Sequence, residues 1–263
     1  MTQLQSIRPH SSGSNLPNIQ ASFPYPYSNA DVSVAPCSIT HHSHSAAATV
    51  NSCVSPWLMP LVYPLGHRLV IPAYFRRVDI VGQENLFIDK PIILAPTHRS
   101  RWDALIVPYA AGKLVTGKHL RFMVSADEML GLQGWFIRRL GGFPVDTRKP
   151  SIATLRYTIE LLHRRESLVI FPEGNIHHGQ PVQPLKPGLA RLALQAESLQ
   201  PGLDIHIVPM SIKYGSALVP WRTTVRVAIG TPLSIAPYTS GHTKQQAKHL
   251  TQALEQALKV LHD

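Results

Sequence analysis

Short apolar runs alternate with helical segments along most of this chain, and that alternation constrains its fold more than any other feature. Residues 92–95, 167–171 and 205–214 have the length and composition of buried strands. Strands that alternate with helices form a mainly parallel sheet flanked by helices. We therefore predict one α/β domain over residues 78–263. Further strands are predicted at residues 121–124, 142–145 and 223–229, and helices at residues 102–111, 127–140, 151–164 and 188–196.

The clearest helix lies at the end of the chain. Leu250, Leu254 and Leu258 follow one another at a spacing of four, and Leu261 comes three residues later, so all four share one face of an α-helix. Thr243, with a glutamine three residues later, has the pattern of a capping box. We predict a helix that begins at Thr243.

Residues 1–55 differ sharply from the rest of the chain in composition. They contain one cation and one acid, are rich in Ser, Pro, His, Asn and Ala, and show neither helical nor strand periodicity. We predict a disordered low-complexity tail. Both cysteines, Cys37 and Cys53, lie in it, which excludes a disulfide framework and a cysteine zinc site in the folded part.

The folded part carries all the excess charge. The chain has 25 Lys and Arg against 15 Asp and Glu, and the net charge of +10 falls on residues 56–263. Such a surface attracts phosphorylated ligands, anionic lipid headgroups or nucleic acid. No predicted helix concentrates cations beside stacking aromatic residues, so we expect no nucleic-acid partner.

Residues 56–77 form an apolar segment, and the stretch 57–75 within it has about the length of a membrane-spanning helix, but three prolines, a glycine and an arginine interrupt that stretch. Aromatic residues within it, and Arg76 and Arg77 after it, are typical of a segment that lies in the membrane interface. The alternative is an apolar strap packed on the domain. We predict peripheral or monotopic membrane association, on the cytoplasmic side.

Ligands of parallel α/β sheets bind at the carboxyl ends of the strands, and three strand exits in this chain carry unusual residues. At the first exit, His98 follows the strand at 92–95 and Asp103 opens the next helix. A turn between them lets Asp103 fold back onto the imidazole. A carboxylate there fixes one tautomer and leaves the far ring nitrogen as a base near neutral pH. The alternative is a His–Asp pair that only caps the helix.

The other two exits carry glycines and charged residues. At the second, two glycines permit close approach to the backbone, and Arg148 offers forked donors that suit a phosphate. At the third, Glu173 and Gly174 follow the buried strand at 167–171. A carboxylate there must meet a cation, a donor or a ligand hydroxyl. The alternatives are a plain basic turn and a local ion pair.

Taken in order, the motifs HRSRWD, GGFPVDTR, FPEGN and VPMSI resemble those of the glycerolipid acyltransferase family, which includes the 1-acylglycerol-3-phosphate acyltransferases. The resemblance extends over residues 92–212. It implies that His98 deprotonates the acceptor hydroxyl, which attacks an acyl thioester, and that Asp103 orients His98. It implies that residues 208–212 lie on the acyl-chain side.

The same resemblance implies the substrate-binding residues. Arg148 and Glu173 would position a glycerol phosphate, and Gly174 would shape the loop. Lys186 stands just before a helix N-terminus, where it suits an anion. The family usually has Arg directly after the Asp of the second motif, where this chain has Thr147. The family also usually has Thr and Arg after the Gly of the third motif, and this chain does not. The resemblance therefore implies that one phosphate contact is missing or displaced.

The resemblance implies an O-acyltransferase of phospholipid biosynthesis that needs no metal or bound cofactor. Acyl-CoA or acyl-carrier protein would be the co-substrate. The acceptor would be a lipid alcohol, and 1-acylglycerol-3-phosphate is the acceptor that the resemblance favours. The expected partners are the acyl donor, the acceptor, a membrane surface and acyl-carrier protein as a candidate. The alternatives are glycerol-3-phosphate or another lipid alcohol as acceptor, an acyl thioesterase, and a lipid-binding protein without catalysis.

Overall fold

In the part of the chain that the computed structural model describes, residues 50, 52–86, 89–146 and 150–263, eight strands form one sheet. The order across the sheet is β1-β7-β6-β2-β5-β3-β4, and β8 pairs with β6. The strands are β1 (Arg77–Val81), β2 (Ile92–Pro96), β3 (Leu120–Ser125), β4 (Gly142–Val145), β5 (Ser167–Val169), β6 (His206–Tyr214), β7 (Thr224–Ile229) and β8 (Leu233–Ser234).

The sheet is mixed but mostly parallel, as the sequence predicts. β6, β2, β5, β3 and β4 run in one direction, and β7 is antiparallel to β6. All five residues of β2 are buried, which places this strand at the centre of the domain. Because β6, β2 and β5 are parallel neighbours, the residues that follow them meet at one edge of the sheet.

Helices cover both faces of the sheet. The alternation of side chains along β2 divides the core, since Ile93 packs with α6, α7 and α8, whereas Leu94 packs with α2 and α3. The helices are α1 (Met59–Leu65), α2 (Ile71–Tyr74), α3 (Asp103–Ala111), α4 (Lys113–Thr116), α5 (Gly131–Arg139), α6 (Ile152–His163), α7 (Gly188–Leu199) and α8 (Thr243–His262).

Side-chain capping occurs at the start of one predicted helix and is absent at the start of another. The helix predicted at residues 151–164 is α6, and the Ser151 hydroxyl caps it by accepting a hydrogen bond from the Thr154 N–H at 3.1 Å. The capping box predicted at Thr243 is wrong. His242 is the N-cap of α8, and the Gln246 side chain donates instead to the Ser240 carbonyl of the preceding loop at 2.8 Å.

The helix predicted at residues 127–140 is divided. A 3-10 turn occupies Ala126–Met129, and α5 begins at Gly131. Leu130 between them has an extended backbone, and Gly131 has a φ of +55°, which interrupts a continuous helix.

The apolar segment at residues 56–77 is helical despite its prolines. α1 and α2 each have a proline in the first turn, a further proline, Pro64, lies inside α1, and a π-helical stretch, Gly66–Val70, joins the two helices. Ile71 and Phe75 are buried in the core beside α3, whereas Trp57 is exposed. No helix among the described residues is long and apolar enough to cross a bilayer.

The predicted tail at residues 1–55 lies outside the described residues except for residues 50 and 52–55, and these contact the domain. The Ser52 carbonyl accepts hydrogen bonds from Arg121 and Tyr157. The N–H groups of Cys53 and Ser55 donate to carbonyls at the end of α5, at 3.0 and 2.9 Å. The chain is therefore attached to the domain before α1 begins.

Candidate active site

The loop after β2 is fixed in place by β6. The Thr97 N–H donates to the Met210 carbonyl at 2.9 Å, and the Thr97 hydroxyl accepts from the Ile212 N–H at 2.9 Å. Both bonds continue the pairing of β2 with β6 beyond the end of β2. His98, the next residue, therefore leaves the sheet from a rigid position.

The structure brings His98 and Asp103 together. His98 Nδ1 lies 2.8 Å from Asp103 Oδ2, and the same oxygen accepts from the N–H groups of Arg99 and Ser100 at 2.6 and 2.9 Å. The Asp103 side chain is fully buried, and His98 is 21% exposed. A carboxylate accepts from Nδ1–H, so Nε2 is left with its lone pair toward the cavity.

Tyr214 at the end of β6 completes the surroundings of Asp103. Its hydroxyl donates to Asp103 Oδ1 at 2.7 Å. Burial, together with the charge of Asp103 and the hydrogen bond to it, raises the pKa of Tyr214 well above its usual value of 10.0. The phenol therefore stays protonated and remains a donor to Asp103.

Glu173, which was predicted to position the glycerol phosphate, is not among the described residues that line the cavity in front of His98. Its carboxylate is buried and forms two hydrogen bonds with the Arg99 guanidinium, at 2.7 and 3.0 Å. It also accepts from the N–H groups of His98 and Gln183, at 2.8 and 2.9 Å. The alternative that the sequence allowed, a local ion pair, is what the structure contains.

Opposing effects set the ionisation of Glu173. Burial alone would raise its pKa, but the hydrogen bonds from Arg99 and from the N–H groups of Gln183 and His98 hold the pKa below its usual value of 4.5. Glu173 is therefore a carboxylate at neutral pH. Its position fixes the backbone of His98, so it acts on the site through that residue.

Phe171 supports the imidazole from one side. The two rings stack with centroids 4.0 Å apart and an interplanar angle of 23°. With Asp103 bound to Nδ1 and Phe171 against one ring face, His98 is held in one orientation. A fixed imidazole beside a cavity is suited to take a proton from a bound hydroxyl.

A cavity of about 1280 Å³ lies in front of His98. Apolar residues of α1, α3 and α5 form much of its wall, and Gly174 and Lys186 line it near His98. This volume exceeds the roughly 300–1,000 Å³ of ordinary small-molecule sites. The cavity is therefore large enough for a long apolar ligand beside a polar group.

Gly174 and Lys186 lie in contact at the polar end of this cavity. Gly174 has a φ of +77°, and a Cβ on it would lie 2.4 Å from Lys186 Nζ. Glycine is therefore required both for the backbone conformation and for the position of the lysine. The exposed ammonium group stands one residue before the N-cap of α7, where an anion is favoured.

Arg148 lies outside the described residues, and the second exit is described only as far as Asp146, which lines the cavity. Within the described ranges, no three His, Cys, Asp or Glu side chains are grouped to hold a metal ion.

Three residues of the site were missed by the sequence reasoning. Arg99 follows His98 directly, and its proximity to a strand exit was a usable signal. Tyr214 and Phe171 gave no such signal, because an aromatic residue at a strand end is ordinary core composition.

Comparisons with known proteins identify the family of this chain. A sequence model of the family described as "Acyltransferase" matches residues 77–213, more than half of the chain. The chain belongs to the acyltransferase family.

Two relatives of this family member are named 1-acyl-sn-glycerol-3-phosphate acyltransferase. The protein from Streptococcus pneumoniae is 30% identical over 167 residues, which are 62% of this chain and 56% of that relative. The chain thus spans little more than half the length of this relative. The protein from Bacillus subtilis is 26% identical over 193 residues, 70% of this chain and 87% of the relative.

The crystal structure of the 1-acyl-sn-glycerophosphate (LPA) acyltransferase PlsC from Thermotoga maritima has a similar fold. Its TM-score is 0.57 at 19% identity, over 78% of this chain and 80% of that chain. This likeness confirms the predicted α/β fold of the family member.

Proposed function

We propose that this protein transfers a fatty acyl group from an acyl thioester to the hydroxyl of a glycerolipid acceptor, 1-acylglycerol-3-phosphate, in phospholipid biosynthesis. The observation that carries the proposal is the His98–Asp103 pair, with Nε2 facing a large and mainly apolar cavity. Membership of the acyltransferase family and the names of the two relatives support the same reaction.

The chemistry follows from the geometry of His98. Nε2 takes the proton of the acceptor hydroxyl as the oxygen attacks the thioester carbonyl carbon. The tetrahedral intermediate collapses, the C–S bond breaks, and the leaving thiolate takes the proton back from the imidazolium. Asp103 stabilises the imidazolium in between, and base catalysis of this kind contributes about 10²–10⁴-fold.

The fatty acyl chains and the acceptor phosphate contact different residues of the cavity. The apolar wall from α1, α3 and α5 suits fatty acyl chains, whose burial is favourable by about 25 cal/mol per Å². Lys186 at the N-terminus of α7 suits the phosphate of the acceptor. Acyl-CoA and acyl-carrier protein both fit this scheme as donors. We place the protein at a membrane surface, on the cytoplasmic side, because the acceptor is a lipid.

The test is an acceptor panel with the purified full chain. Acyl-CoA and acyl-carrier protein would each be offered with 1-acylglycerol-3-phosphate, glycerol-3-phosphate, an uncharged monoacylglycerol or no acceptor. We expect thioester cleavage only with an acceptor, and the highest kcat/KM with 1-acylglycerol-3-phosphate. His98→Ala should lower the rate of acyl transfer by about 10²-fold or more, whereas His249→Ala, at an exposed position on α8, should leave it unchanged.

Three results would contradict the proposal. Cleavage that needs no alcohol would identify a thioesterase. Preference for glycerol-3-phosphate or for the uncharged alcohol would show that 1-acylglycerol-3-phosphate is not the acceptor. No cleavage with any acceptor, while lipid binding persists, would identify a lipid-binding protein without catalysis.

A further inference from the structure

Helix α5 (Gly131–Arg139) presents three large apolar side chains at its outer surface. Leu132 is 73% exposed, and Trp135 and Phe136 are also exposed. The residue packed inward is Gly134, where an added Cβ would lie 2.0 Å from the Met129 carbonyl oxygen. A helix on a water-facing surface normally turns its apolar face inward. The described residues of the domain leave this face uncovered.

The exposed face of α5 continues onto the chain before α1. The Trp57 and Trp135 rings are 6.4 Å apart, and Trp57 is 63% exposed. Leu130, just before α5, is 71% exposed. We call the side chains of Trp57, Leu130, Leu132, Trp135 and Phe136 the α5 face. Contiguous apolar patches of this kind mark interaction sites.

Helices α1 and α5 both border the cavity in front of His98. Met59 and Val62 of α1 line it, as do Gln133 and Ile137 of α5. Backbone hydrogen bonds from Cys53 and from Ser55 join the chain before α1 to the end of α5. The α5 face therefore stands beside the cavity rather than on a remote surface.

We propose that the α5 face docks on an anionic lipid membrane, so that α5 is a second docking element beside the segment at residues 56–77. A lipid acceptor then enters the cavity lined by α1 and α5 directly from the bilayer. Only this statement about the acceptor rests on the proposed function.

The composition of the α5 face favours a lipid surface over a protein partner. Tryptophan and other apolar side chains with a cation at one end are typical of helices in the membrane interface. The Arg139 guanidinium lies over the Trp135 ring, 4.0 Å from its centroid, where it can reach headgroup phosphates beside a buried ring. The net charge of +10 adds attraction to an anionic surface.

The experiment compares vesicle binding of the full chain and of Leu132→Gln/Phe136→Gln. Neither side chain lines the cavity. The control is Leu199→Gln/Val260→Gln, which changes two exposed apolar residues on α7 and α8. Flotation would use vesicles of phosphatidylcholine with and without phosphatidylglycerol. We expect the α5 variant to bind about tenfold or more weakly, and the control to bind as the wild type does.

A second measurement reports contact directly. Vesicles with brominated acyl chains quench tryptophans that lie at the depth of the chains. We expect quenching of the wild type and less quenching of Trp135→Phe, which keeps an apolar ring at the position. Equal quenching of the two proteins would overturn the docking of α5.

Each remaining outcome decides between the proposals. Equal vesicle binding by the wild type and the α5 variant overturns docking through α5, whatever the activity. A face that instead mediates self-association would show concentration-dependent dimers in sedimentation without lipid, lost in the α5 variant. If vesicle binding depends on α5 but no acceptor is acylated even in detergent, docking stands and the proposed function fails.

Discussion

Arg99 and Glu173 form a buried ion pair that joins two loops of the site. Arg99 follows His98 in the loop after β2, and Glu173 lies in the loop after β5. The pair also carries a hydrogen bond from the His98 N–H to Glu173 at 2.8 Å. The position of the proposed base therefore depends on two residues that are not among those lining the cavity.

His98→Ala should lower kcat by about 10²–10⁴-fold, the usual contribution of a general base, with the fold retained. Steady-state kinetics and thermal unfolding check both statements. Residual activity above about a tenth of the wild type would refute the assignment of His98 as base.

Asp103→Asn should have a smaller effect on kcat than His98→Ala. The asparagine carbonyl can accept from His98 Nδ1 and from the N–H groups of Arg99 and Ser100, while its amide turns to the Tyr214 hydroxyl. The geometry survives, but both the control of the imidazole tautomer and the negative charge that stabilises the imidazolium are lost. An Asp103→Asn enzyme as active as the wild type would show that this charge is unimportant.

Tyr214→Phe should shift the acidic limb of the kcat/KM profile to higher pH. Without the donated hydrogen bond, the negative charge of Asp103 is less dispersed and attracts the protonated imidazole more strongly. The unpaired oxygen should also destabilise the protein by about 1–3 kcal/mol. Tyr238→Phe, at a half-buried position in a 3-10 turn, is the matched control. A purely structural role would lower the stability and leave the pH profile unmoved.

Glu173→Gln should destabilise the protein at neutral pH by roughly 3 kcal/mol, because Arg99 is left as a buried charge without a counterion. The pKa of Glu173 is lowered on folding, so its carboxylate stabilises the protein above the usual pKa of 4.5. That contribution is lost as the pH falls below 4.5 and through the folded pKa. Denaturant unfolding across this range should show the two proteins converging. A difference that is constant with pH would contradict an ionised Glu173.

Gly174→Ala should raise the KM for a phosphorylated acceptor and leave the KM for the acyl donor nearly unchanged. The methyl group would displace Lys186, whose Nζ lies 2.4 Å from the added Cβ. Lys186→Ala should give the same change in KM without loss of stability. Gly202→Ala is the control, because Gly202 also has a positive φ, +86°, but has open space around it. Equal KM changes for donor and acceptor would indicate a general distortion of the loop.

Truncation before Val50 should leave the melting temperature nearly unchanged, whereas truncation before Pro56 should lower it. The second deletion removes the Ser52 carbonyl, which accepts hydrogen bonds from the buried Arg121 and from Tyr157. Loss of partners for buried donors is worth about 1–3 kcal/mol. Identical melting temperatures for the two truncations would show that these bonds contribute nothing.

The positions of the site residues could be predicted from the sequence because strand exits are local features. His98, Gly174 and Lys186 each follow an apolar run or precede a helix, and each lies at the cavity. The mostly parallel sheet follows from the alternation of strands and helices. These predictions needed only the order of elements along the chain.

The partners of the buried charges could not be predicted in this way. The sequence requires a cation or donor for Glu173, but the choice of Arg99 depends on the pairing of β2 with β5. Tyr214 reaches Asp103 only because β6 pairs with β2. At Thr243, a local capping pattern was overridden because the preceding loop uses the Gln246 amide.

The parallel pairing of β6, β2 and β5 also governs when an active molecule can arise during synthesis or refolding. His98 and Glu173 are 75 residues apart in the chain, and Asp103 and Tyr214 are 111 apart. Contacts of such sequence separation form slowly because long loops must close first. Catalytic competence should therefore emerge with the assembly of the sheet centre, after local helices such as α8 have formed, and a ribosome-bound chain that has not yet released β6 would be inert.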